Sequence, residues 1–106
     1  MSHVLEIVNF RLKAESDEQA FLAASAAMEQ SFAREQPGFI ERVLGRGEGG
    51  EWVDVVQWTS PAAADDAAAA ELESAACRPF FSMIDEPSIR LSRFEITSLA
   101  AAAVDR

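Results

Sequence analysis

Tyrosine is absent from this chain, and histidine and cysteine occur once each, as His3 and Cys77. Each gap removes a class of chemistry. A lone cysteine forms no internal disulfide, so no cross-link supports folding. One histidine at the start of the first apolar segment does not make a Ser-His-Asp device, whose imidazole must be held by a carboxylate while it reaches a hydroxyl. His3 and Cys77 also lack the spacing of a structural zinc site, which takes about four donors, so no metal site is expected. Without tyrosine, proton transfer through a hydroxyl must use serine, threonine or water.

Basic residues are also scarce, 9 against 18 acidic ones, for a formal charge of −9. Phosphate backbones and anionic lipid surfaces repel such a chain, so neither nucleic acid nor a membrane is an expected partner. Apolar runs fall short of the roughly 20 residues that span a bilayer. Met1 to Glu6 leads into a strand pattern with no basic n-region and no small-residue cleavage site, which predicts a cytoplasmic location.

What is present fits one globular domain: 106 residues, 49% hydrophobic and 25% charged. A chain of this size buries only about two thirds of its unfolded surface, and a homodimer would extend its core. Residues 3–12 alternate, with Val4, Val8, Phe10 and Leu12 on one face and Leu5 and Ile7 on the other, so this strand is expected to be covered on both sides. Ser16-Asp17-Glu18-Gln19 reads as a capping box with Ser16 as the cap. Phe21, Ala24, Met28 and Phe32 then form a helical stripe that Pro37-Gly38 ends near Gln36. Strands are expected over 39–44 and 52–59, joined by Gly45-Arg46-Gly47-Glu48-Gly49-Gly50. That loop spells GxGxxG, but a strand follows instead of a helix, so the glycines are assigned to a hairpin turn and not to a dinucleotide site.

Ser60-Pro61 starts a second helix that the alanine-rich run carries to Cys77. Asp65, Asp66, Glu71 and Glu73 read as its solvated face, with Ala68, Leu72, Ala75 and Ala76 turned inward. Residues 78–87 read as a loop or short turn and 89–97 as the last strand. The order is βαββαβ, an α+β ferredoxin-like arrangement whose four-stranded antiparallel sheet carries both helices on one face. Residues 1–98 make up this one domain, and 99–106 are a C-terminal tail without an assigned element.

Phe21, Met28, Phe32, Trp58, Phe80, Phe81 and Met83, punctuated by Asn9, Arg90 and Arg93, suit an apolar pocket with a few orienting polar groups, and equally the core of a small domain. Asn9 stands out because an unpaired amide in an apolar strand costs about 1–3 kcal/mol and so needs a partner, a water or a ligand.

The element order, Gln36-Pro37-Gly38-Phe39 between the first helix and second strand, and Val55-Val56-Gln57-Trp58-Thr59-Ser60-Pro61-Ala62-Ala63 leading into the second helix resemble the antibiotic biosynthesis monooxygenase-like group of the dimeric α+β barrel superfamily. The resemblance spans about residues 3–98. It implies that two sheets pack face to face in an eight-stranded barrel, each covering the other's bare side. It also implies one of several activities, among them cofactor-independent oxidation of polycyclic phenols by molecular oxygen. For heme degraders of the group, Asn9 matches the first-strand asparagine, but Ala67 and Cys77 stand at the tryptophan and axial-histidine positions, so heme ligation does not carry over. The expectation is therefore a cofactor-free monooxygenase in which Asn9 hydrogen-bonds the substrate oxygen. Trp58 and Phe80 hold its ring, Phe21, Met28, Phe32 and Phe81 complete the pocket, and Arg90 or Arg93 offsets the anionic charge. The alternative is a non-catalytic protein of the same fold that binds a small apolar or aromatic ligand, or serves in assembly.

Overall fold

Alternation in the first apolar segment sets the frame of the molecule. The computed structural model describes residues 3–102, and in it Val4–Arg11 is strand β1, an inner strand of the sheet. Helix α1 (Glu18–Ser31) follows, then β2 (Phe39–Arg46), β3 (Glu51–Trp58), helix α2 (Pro61–Glu71), a short helix α3 (Arg78–Ser82) and β4 (Arg90–Glu95). The strands lie in the order β2-β3-β1-β4 and every pairing is antiparallel, which is the ferredoxin-like α+β arrangement.

Local chemistry departs from expectation at the helix ends. Asp17, not Ser16, caps α1, its carboxylate accepting from the Ala20 N–H at 3.0 Å. A carboxylate answers the positive helix end with charge as well as a hydrogen bond, and Ser16 Oγ instead donates to the Met83 carbonyl. The helix stops at Ser31 because Phe32 leaves the helical region, and a 3-10 turn over Ala33–Glu35 carries the chain towards Pro37. Phe21, Met28 and Phe32 are buried, as their spacing predicts.

Helix α2 starts at Ser60, whose Oγ accepts from the Ala63 N–H, but it ends at Glu71 and does not reach Cys77. Ser74 takes an extended conformation and accepts from the Ala76 N–H, which starts a new turn over Ala75–Cys77. Helix α3 then replaces the expected loop, with Pro79 in its first turn, where a missing N–H costs nothing. The inward face of α2 also differs: Ala64 and Ala67 are buried, whereas Ala68 and Ala75 are exposed and Leu72 is 85% exposed. A run of alanines looks nearly the same from every side, so it gives little sign of which side turns inward.

The glycine loop is a hairpin connection. Gly49 and Gly50 have φ of +69° and +84°, a region that glycine enters without steric cost, and β3 follows directly. Gly38 has φ +87° in the turn before β2, with its carbonyl accepting from the Thr59 N–H at 2.9 Å.

The sheet has two unlike faces. Even-numbered residues of β1 and β3, with Leu44 of β2, meet the helices: Phe10 and Trp52 pack with Phe21, Met28, Phe32 and Phe80, and Trp58 packs with Ala64 and Ala67. On the reverse face, register puts Phe94 and Gln57 beside Leu5, Ser92 and Val55 beside Ile7, and Arg90 and Val53 beside Asn9. Val43 of β2 continues the Ile7–Val55 row. Neither α1 nor α2 covers this face, and Val43 and Phe94 remain 51% and 56% exposed. Residues 99–102 carry no regular structure, and the last four residues of the expected tail lie outside the described residues. No helix among the described residues is long and apolar enough to cross a membrane.

Candidate active site

Between the helical face of the sheet and α1, α2 and α3 lies a cavity of about 160 Å³. Its sheet wall is Val8, Phe10, Val56 and Trp58; its helical wall is Met28, Phe32, Ala67, Phe80 and Phe81. Small side chains on α2 leave this space, because Ala64 and Ala67 bring the helix close to Trp58 without filling the gap beside it. Phe80 is fixed from behind by Phe21, which stacks on it at 5.0 Å between ring centroids and 25° between planes, and from the side by the Phe81 edge at 5.1 Å. Phe39 meets Trp58 edge-on at 5.8 Å. Aromatic pairs in these geometries hold ring orientations as well as burying area.

Charged groups interrupt the apolar wall. Arg42 on β2 donates through Nε and one terminal nitrogen to the two Asp54 oxygens on β3, both at 2.9 Å, and its guanidinium lies 5.4 Å from the Phe80 centroid. Glu6 on β1 accepts from Trp58 Nε1 at 3.4 Å and from Arg93 Nε at 2.8 Å. Arg93 also donates to Asp65 of α2, and this bond, followed by those to Glu6, pushes the guanidinium up against the opposing effect of burial. Glu71, the last residue of α2, completes the set of cavity carboxylates. Its carboxyl is raised from the ordinary 4.5 to about 7, first by burial, then by the Glu6 and Asp54 charges, with Arg42 opposing. Among the described residues no group of three or more His, Cys, Asp and Glu is placed to hold a metal ion.

Of the residues expected at the site, Trp58, Met28, Phe32, Phe80 and Phe81 do line one cavity. Phe21 lies behind Phe80, fully buried, and supports the wall without reaching the space. Asn9 and Arg90 are register partners on the reverse face of the sheet, and neither lines the cavity. Arg90 turns its guanidinium to the Pro87 and Ile89 carbonyls. Arg93 is on the helical side, engaged by Glu6.

Sequence reasoning missed Glu6, Arg42, Asp54 and Glu71. A signal existed for two of them. Glu6 has the parity of Val4, Val8 and Phe10, and Asp54 that of Trp52, Val56 and Trp58, so each places a carboxylate on the buried face of its strand. Glu71, expected on the solvated face of α2, instead lines the cavity.

No protein-family model and no curated protein matches the chain. Solved structures do match it in fold. SnoaB, a cofactor-independent oxygenase from Streptomyces nogalater, is 19% identical, with all of both chains covered and a TM-score of 0.67. A monooxygenase from the ActVA-Orf6 gene of Streptomyces coelicolor, solved in complex with the ligand nanaomycin D, is 18% identical over 96% of this chain and 94% of that one, with a TM-score of 0.72. A Bordetella bronchiseptica protein grouped by its description with the antibiotic biosynthesis monooxygenases is 16% identical over 92% of this chain and 100% of that one, with a TM-score of 0.74. The chain therefore has the fold of the antibiotic biosynthesis monooxygenase-like proteins.

Proposed function

We propose that this protein is a small oxygenase that oxidises an electron-rich, single-ring phenol or hydroquinone with molecular oxygen, using neither metal nor flavin. The observation that carries the reading is the aromatic-walled cavity between sheet and helices, in a fold shared with SnoaB and the ActVA-Orf6 monooxygenase. At about 160 Å³ it is close to the roughly 150 Å³ cavity known to hold benzene, which favours one ring over the fused rings that the sequence resemblance suggests. Trp58 and Phe80 would bracket the ring. A phenolate there passes one electron to oxygen, the two radicals combine, and loss of water from the hydroperoxide leaves a quinone, so phenol plus oxygen becomes quinone plus water. The aromatic and aliphatic wall limits the access of bulk water to the reactive intermediates.

A second copy of the chain is the proposed cover for the reverse sheet face, which puts Asn9 and Arg90 at the interface between subunits and outside the substrate pocket. Oxygen uptake under air with a panel of monocyclic phenols and hydroquinones tests the activity. Consumption that depends on the protein and falls when Ala67→Leu fills the cavity is expected. Ligand-induced thermal stabilisation with no oxygen uptake by any member of the panel would instead make the protein a binder.

A further inference from the structure

Glu71 occupies an unusual place in the wall. It lines the cavity, and together with Phe81, Ile84 and Ile89 it also borders an adjoining open cleft of about 800 Å³. The cavity's other two carboxylates are committed: Asp54 to Arg42 through two hydrogen bonds, Glu6 to Arg93 and Trp58. Glu71 makes no side-chain hydrogen bond or ion pair among the described residues. We propose that Glu71 is the proton acceptor for a phenol bound in the cavity, and that the cleft is the route by which the proton then reaches water. The proposal rests on the single-ring phenol reading above.

In the step itself the phenol O–H bond breaks, the proton moves to a Glu71 carboxylate oxygen, and the electron pair stays on the phenolate. One negative charge is exchanged for another, so the net charge of the cavity does not change. This matters because the surroundings resist any added anion. Glu6 on β1 and Asp54 on β3 face the cavity with negative charge, and Arg42 on β2 is the cation that opposes them. Glu71 also ends α2, whose last turn holds no basic residue, at the negative pole of that helix. On the cleft side Lys13 and Arg78 stand with Asp85 and Glu86. The Cys77 thiol there is raised by burial, so it does not compete as a base. A carboxyl held near 7 is matched to phenolic protons in a way that one at the ordinary value is not.

The test uses 4-nitrophenol, whose phenolate is coloured and whose nitro group disfavours oxidation, so the readout needs no turnover. The full-length protein is titrated with it near neutral pH as wild type, Glu71→Gln and Glu71→Asp, ionisation of the bound ligand being followed by absorbance and the protons released by calorimetry in buffers of different ionisation enthalpy. Wild type is expected to bind the phenolate and to retain its proton on Glu71. Glu71→Gln, which has no acceptor there, should release about one more proton to the buffer for each phenolate bound, and Glu71→Asp should again retain part of it. Oxygen uptake with an oxidisable phenol should fall by about 10²- to 10⁴-fold in Glu71→Gln, mainly in kcat. Binding with equal proton release in wild type and Glu71→Gln overturns the role of Glu71 and leaves the pocket reading intact. No binding to any of the three overturns both.

Discussion

Arg42 and Asp54 are diagonal neighbours across β2 and β3, joined by two hydrogen bonds of 2.9 Å, with the arginine side chain only 4% exposed. A pair this deep adds little net stability when intact, because desolvating both ions offsets their attraction, but losing Asp54 leaves Arg42 with the longer ion pair to Glu29 at 3.7 Å. Asp54→Ala should therefore cost about 3 kcal/mol in urea unfolding, the low end for a broken buried pair, with Asp54→Asn losing less because it keeps a hydrogen-bond acceptor. A loss below about 1 kcal/mol in Asp54→Ala would mean that Glu29 or water fully compensates Arg42 in solution.

Stability should fall with pH over a defined window. The Glu71 carboxyl is raised in the folded state, so the fold favours its protonated form; that contribution is complete below about 4.5 and is lost as pH rises through about 7. Allowing for partial exposure, the loss attributable to this residue is about 1–3 kcal/mol. Denaturation of wild type and Glu71→Gln across this range should show the wild type declining relative to the variant. Parallel curves would place Glu71 in solvent.

Gly38→Ala should be among the most damaging small substitutions. The residue has φ +87°, and an added Cβ would sit 2.5 Å from the Ala63 Cβ and 2.7 Å from the Thr59 Oγ1. Left-handed backbone and overpacking together predict a loss of about 2–4 kcal/mol. Gly49→Ala, where nothing lies within 4 Å of the added Cβ, should lose only the backbone part. Thermal melts of the two variants measure the difference.

The reverse face of the sheet should decide the oligomeric state. Val43→Lys puts a charge at the β2 end of the Ile7–Val55 row, at a side chain already 51% exposed in the lone chain. Its own fold should tolerate that change, whereas burial against a second copy should not. Sedimentation is expected to show a dimer for wild type and a monomer for the variant at micromolar concentration. A monomeric wild type would remove the second copy from the account.

Much of this architecture was legible in the sequence because large side chains mark period clearly. Phe21, Met28 and Phe32 announced the buried side of α1, and the parity of Val4, Val8 and Phe10 announced the helical face of β1. The alanines of α2 carry no such mark, so their spacing encodes neither the inward side, nor the place of Glu71 in the cavity wall, nor the break at Ser74. Asn9 is the odd amide in an apolar strand, yet its parity with Leu5 and Ile7 sets it on the reverse face. The pairing of Arg42 with Asp54 depends on the hairpin register, which includes a shift between Phe39 and Glu41 that hydrophobic spacing does not encode.

Intermolecular nuclear Overhauser effects from the ring protons of bound phenol locate the ligand directly. The cavity account predicts cross-peaks to the Met28 and Ala67 methyls, which line the cavity, and loss of the Met28 cross-peak in Ala67→Leu. Cross-peaks confined to Ile7, Val43 and Val55, on the opposite side of the sheet, would contradict it.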